Sequence, residues 1–152
     1  MTSLFANQRE TSLASTVALV EQALRELGHV PSASQLAVPG AMQAWRIAKG
    51  SAVTRITVVR TGELPHLRVS AVVMTLDAAV DRAALFAHLL EQNAHLCGAA
   101  FAAEGDQVLL VSERSTLDLD QSEVRDAIER VTTYADDHDD VLVARFGGRI
   151  GA

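Results

Sequence analysis

Residues 89–120, LLEQNAHLCGAAFAAEGDQVLLVSERSTLDLD, decide the fold of this chain. They read as the end of an apolar helix, a tight β-hairpin and the entry to a second amphipathic helix. GAAFAA (98–103) and VLLV (108–111) are short apolar runs, and Glu104-Gly105-Asp106-Gln107 between them supplies a glycine for the positive φ of a tight turn. VLLV does not alternate, so a strand there is expected to be covered on both faces. The small residues of 98–103 permit close packing on the partner strand. Residues 112–116 read as a turn leading to the next helix. Asp120, with Glu123 three residues on and Leu119 and Val124 flanking, has the pattern of a capping box with a hydrophobic staple.

Upstream of this stretch, residues 2–10 read as a loose lead-in, and Thr11 or Ser12 can cap a helix. Leu13, Val17, Val20, Leu24 and Leu27 then recur at steps of four and three, which lines one helical face. Gly28 and Pro31 end it, and 31–40 reads as a loop. Residues 43–49, 52–60 and 66–76 are rich in β-branched and alternating positions and are joined by short turns, as in an antiparallel meander. Asp77 or Asp81 caps a helix bearing Leu85, Phe86, Leu89 and Leu90. Downstream, Val124, Ile128, Val131 and Ala135 line one face of the last helix, which is expected to stop at Asp136-Asp137-His138-Asp139-Asp140, four acids being badly placed at a C-terminus. Residues 141–144 fit either a final strand or a helix extension. Residues 1–10 and 147–152 are expected to be flexible. The order α-βββ-α-ββ-α predicts an α+β fold: a five-stranded antiparallel sheet with the first and last helices on one face.

The chain has 152 residues, 49% of them apolar, which suits a single domain spanning 1–152. Its net charge is −6, with ten Asp and Glu against three Arg between Glu113 and Asp140. With one lysine, Lys49, it lacks the clustered cations that hold a nucleic-acid backbone or an anionic membrane. The start, MTSLFANQRE, has no basic region followed by an apolar core, so no secretory signal is expected. A single cysteine, Cys97, fits a reducing cytoplasm, as an inert core residue.

No residue set forms a recognisable catalytic constellation. Asp136–Asp140 is the obvious metal candidate, but consecutive residues lack the convergent spacing of a cage; a solvated helix end is the reading, with no metal and no cofactor expected. His88 and His95, two helical turns apart, have no HExxH-type partners. Arg46, Arg55, Arg60 and Arg68 all lie in the meander, and Arg46, Arg60 and Arg68 are the candidates for a basic stripe facing an acidic partner segment. A small enzyme using the acidic cluster or the histidines to hold a metal is the alternative reading.

The passage from residue 89 to 124, running on into a long helix with Tyr134-Ala135-Asp136, resembles the YbjN family and the wider type III secretion chaperone-like superfamily with its CesT-type chaperones. Asn93, Gly98, Phe101, Gly105, Val108 and Asp120 sit where that pattern puts them. The resemblance implies a small, non-enzymatic bacterial protein, commonly dimeric, that binds another protein as chaperone or regulator. A homodimer is also expected from apolar excess: two helices cover one sheet face, which leaves Leu85, Phe86, Leu89, Leu90, Val108 and Leu110 as a candidate dimer or partner interface.

Overall fold

In the computed structural model of the chain, residues 3–62 and 64–151 are described, 3–12 as backbone only. The elements run α1 (Ser3–Glu26), α2 (Pro31–Ser34), β1 (Ala41–Lys49), β2 (Ala52–Thr61), β3 (Leu64–Thr75), α3 (Arg82–Asn93), β4 (Ala100–Glu104), β5 (Gln107–Ser115), α4 (Gln121–Phe146) and β6 (Arg149–Ile150). Every strand pairing is antiparallel, in the order β1-β2-β3-β5-β4, and β6 adds to β3 at Met74 and Thr75. The α+β architecture expected from the sequence is the one observed, with one more strand.

Alternation decides which face is covered. Along β3, Pro65, Leu67, Val69 and Ala71 are buried, while His66, Arg68, Ser70 and Val72 between them are half-buried. The inward set packs against α4, whose Val124, Ile128, Val131, Ala135 and Leu142 are buried beneath it. Val20 and Leu24 of α1 complete this core, with Leu13, Val17 and Leu27 packed on its margin. Both stripes read from the sequence therefore belong to one core on one face of the sheet.

The ends of the helices differ from expectation in three places. The segment read as a loose lead-in is helical from Ser3; no glycine or proline interrupts residues 3–27, so nothing stops the helix from extending upstream. The last helix does not stop at its acids but continues to Phe146; two of the four, Asp136 and Asp139, are bound rather than solvated. Ser51, in the β1–β2 turn, donates its hydroxyl to Asp139 Oδ2 at 2.6 Å, and its backbone N–H donates to Asp136 Oδ1 at 3.2 Å. A Cβ on Gly50, at φ +59, would overlap that Asp136 carboxylate, so the turn needs a glycine for conformation and for space. The C-terminal segment, expected to be flexible, docks on the sheet: Gly147 and Gly148, at φ 83 and 82, reverse the chain, and the Gly151 N–H donates to the Val73 carbonyl at 3.0 Å. Residues 1, 2 and 152 of the two segments expected to be flexible lie outside the described residues.

One strand and one burial expectation also differ. Residues 112–116, read as a turn, continue β5 as far as Ser115, because β3 is long enough to pair with them from Ser112 to Ser115. Cys97, read as a core residue, is exposed in the loop before β4. At the outer side of β4, Asn93 of α3 accepts from the Phe101 N–H at 2.7 Å and donates to the Phe101 carbonyl at 3.2 Å.

The capping box at α4 is present as read: Asp120 accepts from the Glu123 N–H at 2.9 Å, and Glu123 accepts from the Asp120 N–H at 3.2 Å. The Glu123 backbone N–H, followed by the Ser122 hydroxyl, holds the Asp120 carboxyl below the ordinary carboxylate range. A carboxyl with a lowered folded pKa stabilises the fold above its unfolded pKa, and that contribution is lost as pH falls through the folded value. Asp120→Ala is accordingly expected to melt at a lower temperature than wild type at neutral pH. The difference should narrow as pH falls through the carboxylate range; a constant difference down to strong acid would contradict the capping role.

Candidate functional site: the open face of the sheet

The long helices α1, α3 and α4 lie on one face, so the alternate side chains of the five main strands form a second face that none of them covers, although Ala44, Thr57 and Leu109 on it are buried. The pairing register arranges them in rows across the strands. The middle row is Arg46, Arg55, Ser70, Val111 and Ala100. On one side of it lie Ala44, Thr57, Arg68 and Glu113. On the other lie Ala48 beside Val53, and Val72 beside Leu109 and Ala102. A cavity of about 440 Å³ opens on this face, lined among others by Arg46, Val53, Arg55, Arg68, Val72 and Leu109, with Val38 and Pro39 at its rim.

Its charges are uneven. Arg68 Nη1 donates to Glu113 Oε2 at 3.1 Å, which closes that cation off. Arg46 and Arg55 stand directly opposite each other on β1 and β2, both exposed, and among the described residues neither has an ion-pair partner. Like charges in direct cross-strand opposition are unfavourable in the free protein.

The basic stripe read from the sequence is thus partly assembled. Arg46 and Arg68 share the open face, joined by Arg55. Arg60 does not: it follows Ile56 and Val58 at two-residue steps, which puts it on the helix-covered side at the strand's end, opposite Pro65. The candidate interface on α3 and β5 is placed differently from expectation. Leu85, Leu89, Val108 and Leu110 are buried in the chain's own core, because α3 folds over the β4–β5 end of the covered face. Phe86 is half-buried against that core, and Leu90 alone of the six is fully open, at 71% exposure. Val53, Val59, Val72 and Leu109 line the open-face cavity; none was named as a site residue, and Leu109 belongs to the VLLV run expected to be covered on both faces, whose second face no long helix covers. Their signal was the second parity of strands whose first parity was already assigned to the core.

The acidic cluster divides around the helix. Asp136 and Asp139 face Ser51, while the His138 ring lies edge-on to Phe101 at 5.4 Å. His88 stacks on Phe146 at 5.4 Å. Among the described residues no three His, Cys, Asp or Glu side chains converge as metal ligands do, and no helix is long and apolar enough to cross a membrane.

Comparison with known proteins adds the following. The model of the TY-Chap1 family, described as T3SS (YopN, CesT) and YbjN peptide-binding chaperone 1, matches residues 14–151. No curated protein matches by sequence. Among solved structures, the ExsC-ExsE complex contains a chain that superposes with a TM-score of 0.63 at 15% identity, over 85% of this chain and 94% of that one. The HopA1-SchA chaperone-effector complex contains another, with a TM-score of 0.57 at 10% identity, over 86% of this chain and 97% of that one. At such identities the likeness is one of fold.

Proposed function

The chain belongs to the family of T3SS (YopN, CesT) and YbjN peptide-binding chaperones, and on that premise we propose that it acts without catalysis, as one domain, by holding a segment of another protein on the open face of its sheet. The observation that carries this is the one-sided cover of the sheet: α1 and α4 pack on one face, and the other keeps a cavity of about 440 Å³ with apolar and basic walls. Half-buried valines beside unpaired arginines suit a peptide, which brings both side chains and backbone polar groups. That the two similar folds come from complexes, one of them between a chaperone and an effector, supports a protein partner. A metal-dependent reaction has less support, since Asp136 and Asp139 are already engaged by Ser51. The compartment in this reading is a bacterial cytoplasm, where an exposed single thiol such as Cys97 stays reduced.

The test is site-specific photo-crosslinking in cells. A photoreactive residue replacing Ser70, on the open face, should give an adduct with another protein. The same residue replacing Asp137, exposed on the side of α4 away from its buried residues, should not. Adducts from position 137 alone would overturn the assignment of the face.

Pairing of two identical chains belongs to the same proposal, with exposed Leu90 and the half-buried Phe86 beside it as the contact that the core leaves available. Light scattering is expected to give a mass of two chains at tens of micromolar, and Leu90→Glu to lower it. A single-chain mass at every concentration would reject the pair and leave peptide binding untouched.

A further inference from the structure

We propose that the open face selects segments in which an acidic side chain and an apolar side chain are set about three residues apart in a chain of polyproline-II conformation, with the acid seated over β1 and β2. This rests on the reading of the open face as the peptide site, and names the chemistry of its occupant.

The acid is called for by Arg46 and Arg55. They are cross-strand neighbours on one face, exposed, and without an ion-pair partner among the described residues. Two adjacent guanidinium groups with no counter-charge form a ready seat for a carboxylate, which a guanidinium binds through paired N–H donors. Binding there also removes the repulsion that the free protein carries. The feature is local: the chain as a whole has a net charge of −6, so this pair runs against the general sign of its surface.

The rest of the face fixes the direction. Arg68 is held by Glu113 and offers little further attraction. Glu104 lines the cavity at its β4 end, where it repels a second acid. Between these charges lie Val72 and Leu109, paired across β3 and β5, with Val111 in the next row. The face is therefore positive over β1 and β2, apolar over β3 and β5, and negative at β4.

Spacing follows from sheet geometry. From β2 to β5, across β3, is two strand separations, about 10 Å. A segment in polyproline-II conformation lying across the strands covers this in about three residues at ~3.1 Å each, and its three residues per turn point side chains i and i+3 to the same side, which the two-residue alternation of a β-strand does not. A helical segment would need about seven, at ~1.5 Å each. A carboxylate on Arg46 and Arg55 thus places an apolar side chain three residues on above Val72, Leu109 and Val111.

The experiment is selection from displayed random peptides, in parallel, on the wild-type chain and on Arg46→Gln/Arg55→Gln. Peptides enriched by the wild type should carry Asp or Glu with an apolar residue at the stated spacing. A synthesised winner should bind the double variant about tenfold or more weakly, and its Glu→Gln form should bind both proteins alike. Equal melting temperatures of the two proteins exclude misfolding as the cause. Winners without acids, or an acidic winner bound undiminished by the double variant, overturn this proposal. If those winners still lose affinity to Leu109→Glu, the open face remains the peptide site. If no peptide is enriched, or Leu109→Glu has no effect, the reading of the face fails too. Self-association of the wild type that is lost in the double variant would identify a second copy of the chain as the occupant, and also overturns the proposal.

Discussion

Replacing Ile128 with alanine is expected to lower the free energy of unfolding by about 2–5 kcal/mol. Leu24→Ala should do the same. Both side chains are fully buried, Ile128 where α4 meets the sheet and Leu24 where α1 closes over it. Removing either leaves a void between layers held apart by their other side chains, so the lost transfer energy is joined by the energy of the cavity. Against a typical domain stability of about 5–15 kcal/mol, one such change is a large fraction. Denaturant unfolding followed by circular dichroism measures it. Unchanged midpoints for both would mean that α1 and α4 do not cover the sheet as described, whereas Val141→Ala, at an exposed position on α4, should change little.

The second large effect is expected at the β1–β2 turn. Asp139 is 2% exposed, and its carboxylate accepts from the Ser51 hydroxyl and from the Asp140 N–H. Ser51→Ala removes one donor and leaves a buried charge short of a partner, at a cost of about 1–3 kcal/mol. Asp139→Ala should cost a similar amount or more. The double variant should cost less than the sum, because the hydroxyl and the carboxylate are each other's reason for being there. Strict additivity would show that the hydrogen bond contributes nothing to holding the turn on α4. Nearby, Thr54 and Thr132 share a buried hydrogen bond at 2.9 Å, so β2 meets α4 through a polar contact as well as apolar ones.

Features set by local chemistry were legible from the amino acids. The capping box at Asp120 and Glu123, the stripes on α1 and α4 and the alternation of β3 each depend on residues within a few positions of one another, and each was found in place. What escaped reading depends on distant partners. Asp136–Asp140 looks like a helix end until Ser51, far away in the chain, binds two of its acids. Residues 112–115 look like a turn until β3 pairs with them. Leu85, Leu89, Val108 and Leu110 look like surplus apolar surface until α3 is seen to fold over the sheet's far end. The candidate site was half legible for the same reason. Arg46 and Arg68 were named, but their parity relative to Arg60 and their adjacency to Val72 and Leu109 are matters of register, which composition does not carry.

The amide of Asn93 has a consequence for how these molecules can aggregate. The outermost strand of a sheet presents free N–H and C=O groups that can recruit a strand from another molecule and seed fibrils. On β4 the outward groups of Phe101 are already taken by Asn93, and the strand is only five residues long. That border is blocked at Phe101 by a side chain. Among the described residues the opposite border, on β1, is bonded by Gln35 and Leu36, and by Val38 at its start. An ordered polymer of this chain would therefore be expected to nucleate more readily at β1, and an Asn93→Ala variant to gain readier growth at β4 as well.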